Sequence, residues 1–596
     1  MKFFKLLFSF VSIAFFVSGC TQLPKYELSP EARLADAVWM TSIFESNYAP
    51  LQYKETLHGF SYADKKHEFL QNALKEQSNT EYYALLNQFV AQFQDAHTGL
   101  QLPWPSAKGA GEIATLGFVG SRSGENILVR FVFPGLYGTR GFPVKEGDLI
   151  EKINGLDPRE YCEQTQGHTS NIGSSEANFT VRASAALMPV SMADAMPAEK
   201  DIQLRIKRGD KSFDVTLPWI RMDFVDFMNL QSQMYYSASA SQRAKFRELG
   251  TLIEFYRAWN QGNRESAMTY IQKFIPNSGK FKFWNTFEAL NFRSPSAMAA
   301  AVKRLDRAQK GQGDSPEWAR YIRNIPKDVM WVPDSYLYPT YISSESSTTE
   351  DKTTSRLIAT MVLDSFSMPE DWALEEAAAT LAYLKKMGVH DLIIDTIDNG
   401  GGSLSLGVKL AQLFRSEKIA LPMIQMRTSE SWIQEFEYAS NNALTIAERE
   451  LSRRVYDELV AARGAGQILS KKYSIESLMP YEIEPNANAD SSLRVVLLVN
   501  EMCASMCDIF AGMMKDNQIA TLVGQQTMGA GGNVVMHMAS ANTGMMLRQT
   551  ESLILRSNGE FIENNGVKPD VEMVVSEMAK DLYQGVRQKA VEILLK

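Results

Sequence analysis

Two short apolar runs, Leu392-Ile393-Ile394 and Val495-Val496-Leu497-Leu498-Val499, constrain the fold more than anything else in this chain. Each reads as a buried strand and each gives way to a helix. After Val499 the period changes, and Met506, Ile509, Phe510, Met513 and Met514 recur at helical spacing. Earlier, Ile358 to Leu363 reads as a strand, and Leu374, Ala378, Leu381 and Leu384 mark a helix ending at Gly388. A third helix carries Val408, Leu410, Ala411, Leu413 and Phe414, and Thr521 to Gly524 is a further strand. This alternation predicts an α/β fold, a largely parallel sheet covered by helices.

Ser505 stands where a strand ends and a helix begins. A hydroxyl there leaves the sheet edge beside the first free N–H groups of the helix, which is good ground for a nucleophile. Ser505 with Asp508 three residues on also reads as a capping box. Cys503 and Cys507 flank Ser505, and we read them as small buried fillers rather than metal ligands or a bridge.

With 596 residues the chain exceeds one core, and three or four domains are expected. A net charge of −8 argues against a nucleic-acid binder. No zinc-ligand cluster or phosphate loop is present, so neither metal nor organic cofactor is expected. At the start, Lys2 and Lys5 flank an apolar run through Phe16, followed by Val17-Ser18-Gly19-Cys20. Residues 1–19 read as an export signal too short to span a bilayer. Cys20 after Ser-Gly resembles the bacterial lipobox, which implies acylation of Cys20 and a lipoprotein of the cell envelope held to the membrane. Thr21 in place of Asp favours the outer membrane facing the periplasm. Cys162, Cys503 and Cys507 then remain, an odd number that leaves a free thiol.

Residues 20–30 read as a tether and 31–103 as a helical region. Its start is Ser29-Pro30-Glu31, and Tyr82, Leu85, Leu86, Phe89, Val90 and Phe93 form an apolar stripe. Residues 104–220 are β-rich. Leu116-Gly117-Phe118, the turn Gly147-Asp148-Leu149-Ile150-Glu151-Lys152-Ile153-Asn154-Gly155 and a hairpin at Gly209-Asp210 resemble a PDZ domain. There a peptide adds to a sheet edge, its carboxylate held by loop N–H groups. The Ser-, Ala- and Met-rich stretch from about Glu163 to Lys200 reads as a mobile insertion. Residues 221–350 read as helical, with Trp259, Tyr270, Phe274 and Trp284 as core residues. Residues 351–596 hold the α/β core, with a helical insertion at about 430–475.

Four motifs then fall in order: Asp395-Thr396-Ile397-Asp398-Asn399-Gly400-Gly401-Gly402, Asn500 to Phe510, Ala520-Thr521-Leu522-Val523-Gly524, and Glu563-Asn564-Asn565-Gly566-Val567-Lys568-Pro569-Asp570. Together with the PDZ-like module they resemble the C-terminal-processing (tail-specific) serine proteases, which implies a crotonase/Clp-protease-like core. Most of that family uses a Ser–Lys dyad, but the lysine slot here is Ala530 in Thr527-Met528-Gly529-Ala530-Gly531-Gly532. Lys515 lies about 15 Å down the helix from Ser505 at 1.5 Å rise per residue. The tricorn-like branch uses serine, histidine and glutamate instead. On that resemblance Asp95-Ala96-His97-Thr98 supplies His97 as general base and Glu563 is the orienting carboxylate, with Asp95 as its substitute. The backbone N–H groups of Gly401 and Met506 would hold the oxyanion. Leu116, Gly117 and Phe118 would grip peptide. A polypeptide substrate is implied, and a second copy of the chain is an allowed partner. The rival reading is a catalytically silent peptide- or apolar-ligand-binding protein on the same scaffold, as in the interphotoreceptor retinoid-binding protein.

Overall fold

The computed structural model describes residues 27–101, 111–133, 142–165, 173–227, 329–348, 353–479, 483–574 and 580–596, apart from a few positions within those ranges. The signal segment, Cys20, most of the tether and the four aromatics between 259 and 284 lie outside the described residues.

Ser29 caps α1 (Pro30–Asn47) by accepting from Ala32 N–H, with proline at the first position. Then come α2 (Leu51–His58), α3 (Tyr62–Leu74) and α4 (Asn79–Ala91), the last opened by a Ser78–Glu81 capping box. Phe44, Tyr48, Phe69, Tyr82, Phe89 and Phe93 pack between them, together with Met545 and Leu547 from far along the chain. Asp36 is buried and accepts from Ser540, Asn542 and Thr543. The helical region is therefore docked on the core rather than hung from it. It runs on into β1 (Gly99–Gln101).

The next module comprises β2 (Glu112–Thr115), β3 (Phe118–Ser123), β4 (Asn126–Val132), β5 (Leu149–Ile153), α5 (Pro158–Gln164), α6 (Ser175–Ala185), β6 (Asp201–Arg208), β7 (Lys211–Pro218) and β8 (Ile220–Asp223). The antiparallel sheet runs β3-β4-β5-β6-β7, and β2 pairs with β8. Ile202, Leu204 and Ile206 alternate inward, the period a half-buried strand requires. Within the stretch expected to be a mobile insertion, Ser175–Ala185 instead forms α6. Ser174 caps it, Phe179, Ala183 and Leu187 enter the module's core, and Arg122 of β3 bonds Glu176 and Thr180. Its Ser- and Ala-rich composition hid three apolar contacts at helical spacing.

The core holds β9 (Met330–Trp331), β10 (Thr340–Thr348), β11 (Thr353–Val362), α7 (Glu370–Lys386), β12 (Asp391–Asp395), α8 (Leu404–Gln412), β13 (Met423–Met426), α9 (Glu430–Asn442), α10 (Ile446–Gly464), β14 (Tyr473–Ser474), β15 (Arg494–Val499), α11 (Met506–Asp516), β16 (Ala520–Gly524), β17 (Val534–Met536), β18 (Met546–Thr550), β19 (Ser552–Leu555), β20 (Val571–Glu572) and α12 (Lys580–Leu595). The main sheet runs β20-β16-β15-β12-β11-β10-β9, parallel from β20 to β11 and antiparallel beyond. Leu392, Ile394, Val495, Leu497 and Val499 face one apolar cluster, while Ile393, Val496 and Leu498 face the other, against α12. Burial on both faces explains the unbroken apolar runs. The expectation of a helical region up to residue 350 fails at its end, because Thr340–Thr348 pairs with β11 and the core sheet begins before 351. Two small sheets, β14-β13-β19 and β1-β18-β17, flank the core; in the second, Gly99 of the helical region stands opposite Arg548.

Candidate active site

Ser505 occupies the junction between β15 and α11 with φ 57° and ψ −120°, a backbone conformation that costs a residue with a Cβ roughly 1–3 kcal/mol. Its neighbours hold it there. Ala504 N–H donates to Asn399 O at 3.0 Å, Met528 N–H to Cys503 O at 2.9 Å, and Ile509 N–H to Ser505 O at 3.1 Å. Cys503 and Cys507, expected as unbridged fillers, form a disulfide. The turn at Ser505 draws their Cα atoms to 5.2 Å, within the span a disulfide needs. Among the described residues Cys162 is a buried free thiol.

The capping-box reading of Ser505 fails for the hydroxyl, which makes no cap bond. Asp508 is fully buried and accepts from Thr527 Oγ1, from Gly529 N–H at 2.9 Å and from Ala530 N–H at 3.1 Å. Burial pushes its carboxyl up to about 6 against these donors and the Ser505 N–H. Asp508 thus ties the nucleophile helix to the 527–531 loop.

Gly401 lies flush against the junction. A Cβ there would come within 2.7 Å of Ser505 Cβ and 2.8 Å of Met506 N, and its φ of +91° suits glycine alone. Its N–H, expected to face an oxyanion, donates to Asn399 Oδ1 at 2.8 Å. Asn399 is fully buried and spends its amide on Leu363 O, so this donor is engaged in the present state. Met506 opens α11, where the helix end favours negative charge.

His97 follows a tight turn after α4. Asp95 accepts from the His97 backbone N–H at 2.8 Å, from Thr98 Oγ1 at 2.9 Å and from Tyr48 Oη at 3.0 Å. Its oxygens therefore brace the loop rather than the imidazole. Burial alone would raise Asp95, but the Lys54 charge, His97 with its backbone N–H, and the Thr550 hydroxyl hold it below the usual carboxylate range. Arg548 fixes the other side, donating to His97 O and Ala96 O. His97 is half-buried, its Nδ1 is inaccessible and has no hydrogen-bond partner among the described residues, and desolvation pushes the imidazole down to about 4.

Glu563 is fully buried. One oxygen accepts from Gly531 N–H at 3.2 Å, and the other is paired with the Lys54 ammonium. Burial, then the Asp95 charge, push it up to about 8 against Lys54. The segments of the three expected residues meet: Ala96 packs against Ala504, Met528 and Ala530, and Asn564 Nδ2 donates to Gln94 O at 2.8 Å. The β-rich module reaches the same place, with Ser174 N–H donating to Met528 O at 2.6 Å and Thr180 Oγ1 to Glu501 Oε1 at 2.7 Å. Lys515 points elsewhere, to Lys568 O and Asp570. Leu116 and Phe118 are buried in their own module's core, and Gly117 N–H donates to Thr115 Oγ1 at 3.1 Å. Lys54 and the disulfide escaped sequence reading. Lys54 carries no motif, and the cysteine spacing is equally that of two packed side chains. Among the described residues no group of His, Cys, Asp and Glu could hold a metal ion, and no helix is long and apolar enough to cross a membrane.

Residues 358–573 match the model of peptidase family S41. An uncharacterized protein of Chlamydia muridarum is 30% identical over 203 residues, which cover 30% of this chain and 34% of that one. A probable CtpA-like serine protease of Staphylococcus epidermidis is 22% identical over 227 residues, covering 37% of this chain and 36% of its own. The chain spans about a third of the length of these curated relatives. The solved structure of mature CPAF aligns with a TM-score of 0.62 at 18% identity, covering 95% of this chain and 96% of that one, a likeness of fold. The S41-like part runs from β11 to just beyond β20 and contains Ser505, Gly401 and Glu563. His97 comes from outside it.

Proposed function

We propose that this S41 serine-protease-like chain is an exported, lipid-anchored endopeptidase that hydrolyses peptide bonds in extended polypeptides. Ser505 is the nucleophile, His97 the general base and acid, and Glu563 the carboxylate that stabilises the imidazolium. The single observation that carries the reading is the strained positive φ of Ser505 at a strand-to-helix junction, a setting that exposes a nucleophile. The meeting of the 94–97, 504–505 and 563–564 segments supports the assignment of partners. Ser505 Oγ attacks the scissile carbonyl while His97 takes its proton; His97 then protonates the leaving amine, and water resolves the acyl-enzyme. Met506 N–H receives the oxyanion. Gly401 N–H joins it once the Asn399 side chain releases that donor. Histidine serves rather than lysine, because Ala530 cannot take a proton and Lys515 is bound elsewhere.

The β-rich module takes the PDZ role, accepting a peptide strand along the β3 edge near Leu116, Gly117 and Phe118. Cys20 carries the lipid that holds the protein to the outer membrane facing the periplasm.

Ser505→Ala is expected to abolish both peptide cleavage and labelling by a fluorophosphonate, with the melting profile retained. Wild-type protein that neither cleaves nor labels, and binds peptide as tightly as Ser505→Ala does, would replace this reading with the silent binding protein.

A further inference from the structure

Lys54 belongs to none of the motifs above, yet it is the buried cation at the centre of the site. It sits on α2 and its side chain is wholly inaccessible, as is that of Glu563. Its ammonium donates to Gln94 O at 3.1 Å, to Glu563 Oε1 and to Asn564 Oδ1, so all three N–H groups are used. Asn564 closes the knot by donating to Gln94 O and to Gly173 O.

The geometry points to Lys54 as a positioning residue: its ammonium holds Glu563 in place beside the His97 segment and favours the ionised form of its carboxyl, an inference that rests on the Ser505–His97–Glu563 reading. Two physical arguments carry it. First, a buried ion pair adds little to stability over an apolar pair of the same volume, because desolvation offsets the attraction. A lysine threaded between two segments of a proposed site therefore calls for a role other than glue. Second, Asp95 and Glu563 are both buried, the Asp95 charge raises Glu563, and Lys54 lowers both. Lys54 opposes the protonation that burial and the Asp95 charge impose on Glu563, so without the cation Glu563 keeps its proton to still higher pH. A protonated Glu563 cannot stabilise an imidazolium. Lys54 itself is no base, since every N–H is donated and no lone pair is free.

The test is a double-mutant cycle on the full chain, read as pH profiles of peptide cleavage. Lys54→Met is expected to move the acid limb of kcat/KM upward by about one unit or more and to lower kcat near neutrality roughly 10-fold or more, with KM little changed. In the Glu563→Gln background, Lys54→Met is expected to change kcat by less than about twofold, because its target is already neutral. Should Lys54→Met alone not fold, the comparison of Glu563→Gln with the double variant decides. A Lys54→Met enzyme with the wild-type profile, or a further large loss in the Glu563→Gln background, overturns the role of Lys54 while leaving the serine peptidase reading intact. Wild-type protein without cleavage or labelling overturns both.

Discussion

Ser505→Gly is expected to make a dead but sturdier protein, and the comparison that isolates the reason is with Ser505→Ala. Both remove the hydroxyl, which makes no cap bond, so both lose the nucleophile and neither strands a buried polar partner. They differ in the Cβ. Alanine keeps it and must still sit at φ 57°, ψ −120°, at a cost of roughly 1–3 kcal/mol. Glycine adopts those angles freely but adds about 0.5–1 kcal/mol of unfolded-state entropy to be lost on folding. The difference leaves Ser505→Gly more stable than Ser505→Ala by about 1 kcal/mol at the middle of the two ranges. For a folding unit of this core's size that corresponds to a rise of roughly 2–4 °C in the melting transition. Thermal melts of the two variants at one pH check it. If Ser505→Gly melts at or below Ser505→Ala, the backbone at the junction is not strained, and its geometry loses its force as a sign of a nucleophile.

The Cys503–Cys507 bridge closes a five-residue loop around Ser505, so the double variant Cys503→Ala/Cys507→Ala should lose about 2 kcal/mol of stability in urea titrations and label more slowly with a fluorophosphonate. Alkylation of both cysteines in unreduced, denatured protein would show that no bridge forms. Burial pushes His97 down to about 4, below its ordinary value in the unfolded chain. The neutral imidazole therefore contributes stability that is fully present above about pH 6.5 and lost as pH falls through about 4. His97→Gln should flatten that part of a stability–pH curve measured by urea titration; a variant curve as steep as the wild type's would count against a lowered His97.

The parallel sheet was legible because burial on both faces leaves its mark residue by residue. Leu392 to Ile394 and Val495 to Val499 have no polar interruption, and the change of period after Val499 locates the strand-to-helix junction at Ser505 to the residue. The alanine at 530, where the resemblance would put a lysine, is equally a one-position reading. Composition misled where helical spacing was sparse, as in α6, and where a strand was read as helix, as in β10.

Other features had no local signature. Lys54 and Glu563 are 509 positions apart, and a lysine in a short amphipathic helix looks like any solvated one until the fold buries it against a carboxylate. Asn399 and Gly401 are two residues apart, but the capture of the Gly401 N–H depends on how the turn packs against Leu363 and Ala504. Period and apolarity are written along the chain, so they set the sheet, its helices and the position of Ser505. Burial of charge and the choice of hydrogen-bond partner depend on what arrives from elsewhere, so the surroundings of Glu563, His97 and Gly401 were decided only when the helical region closed over the core.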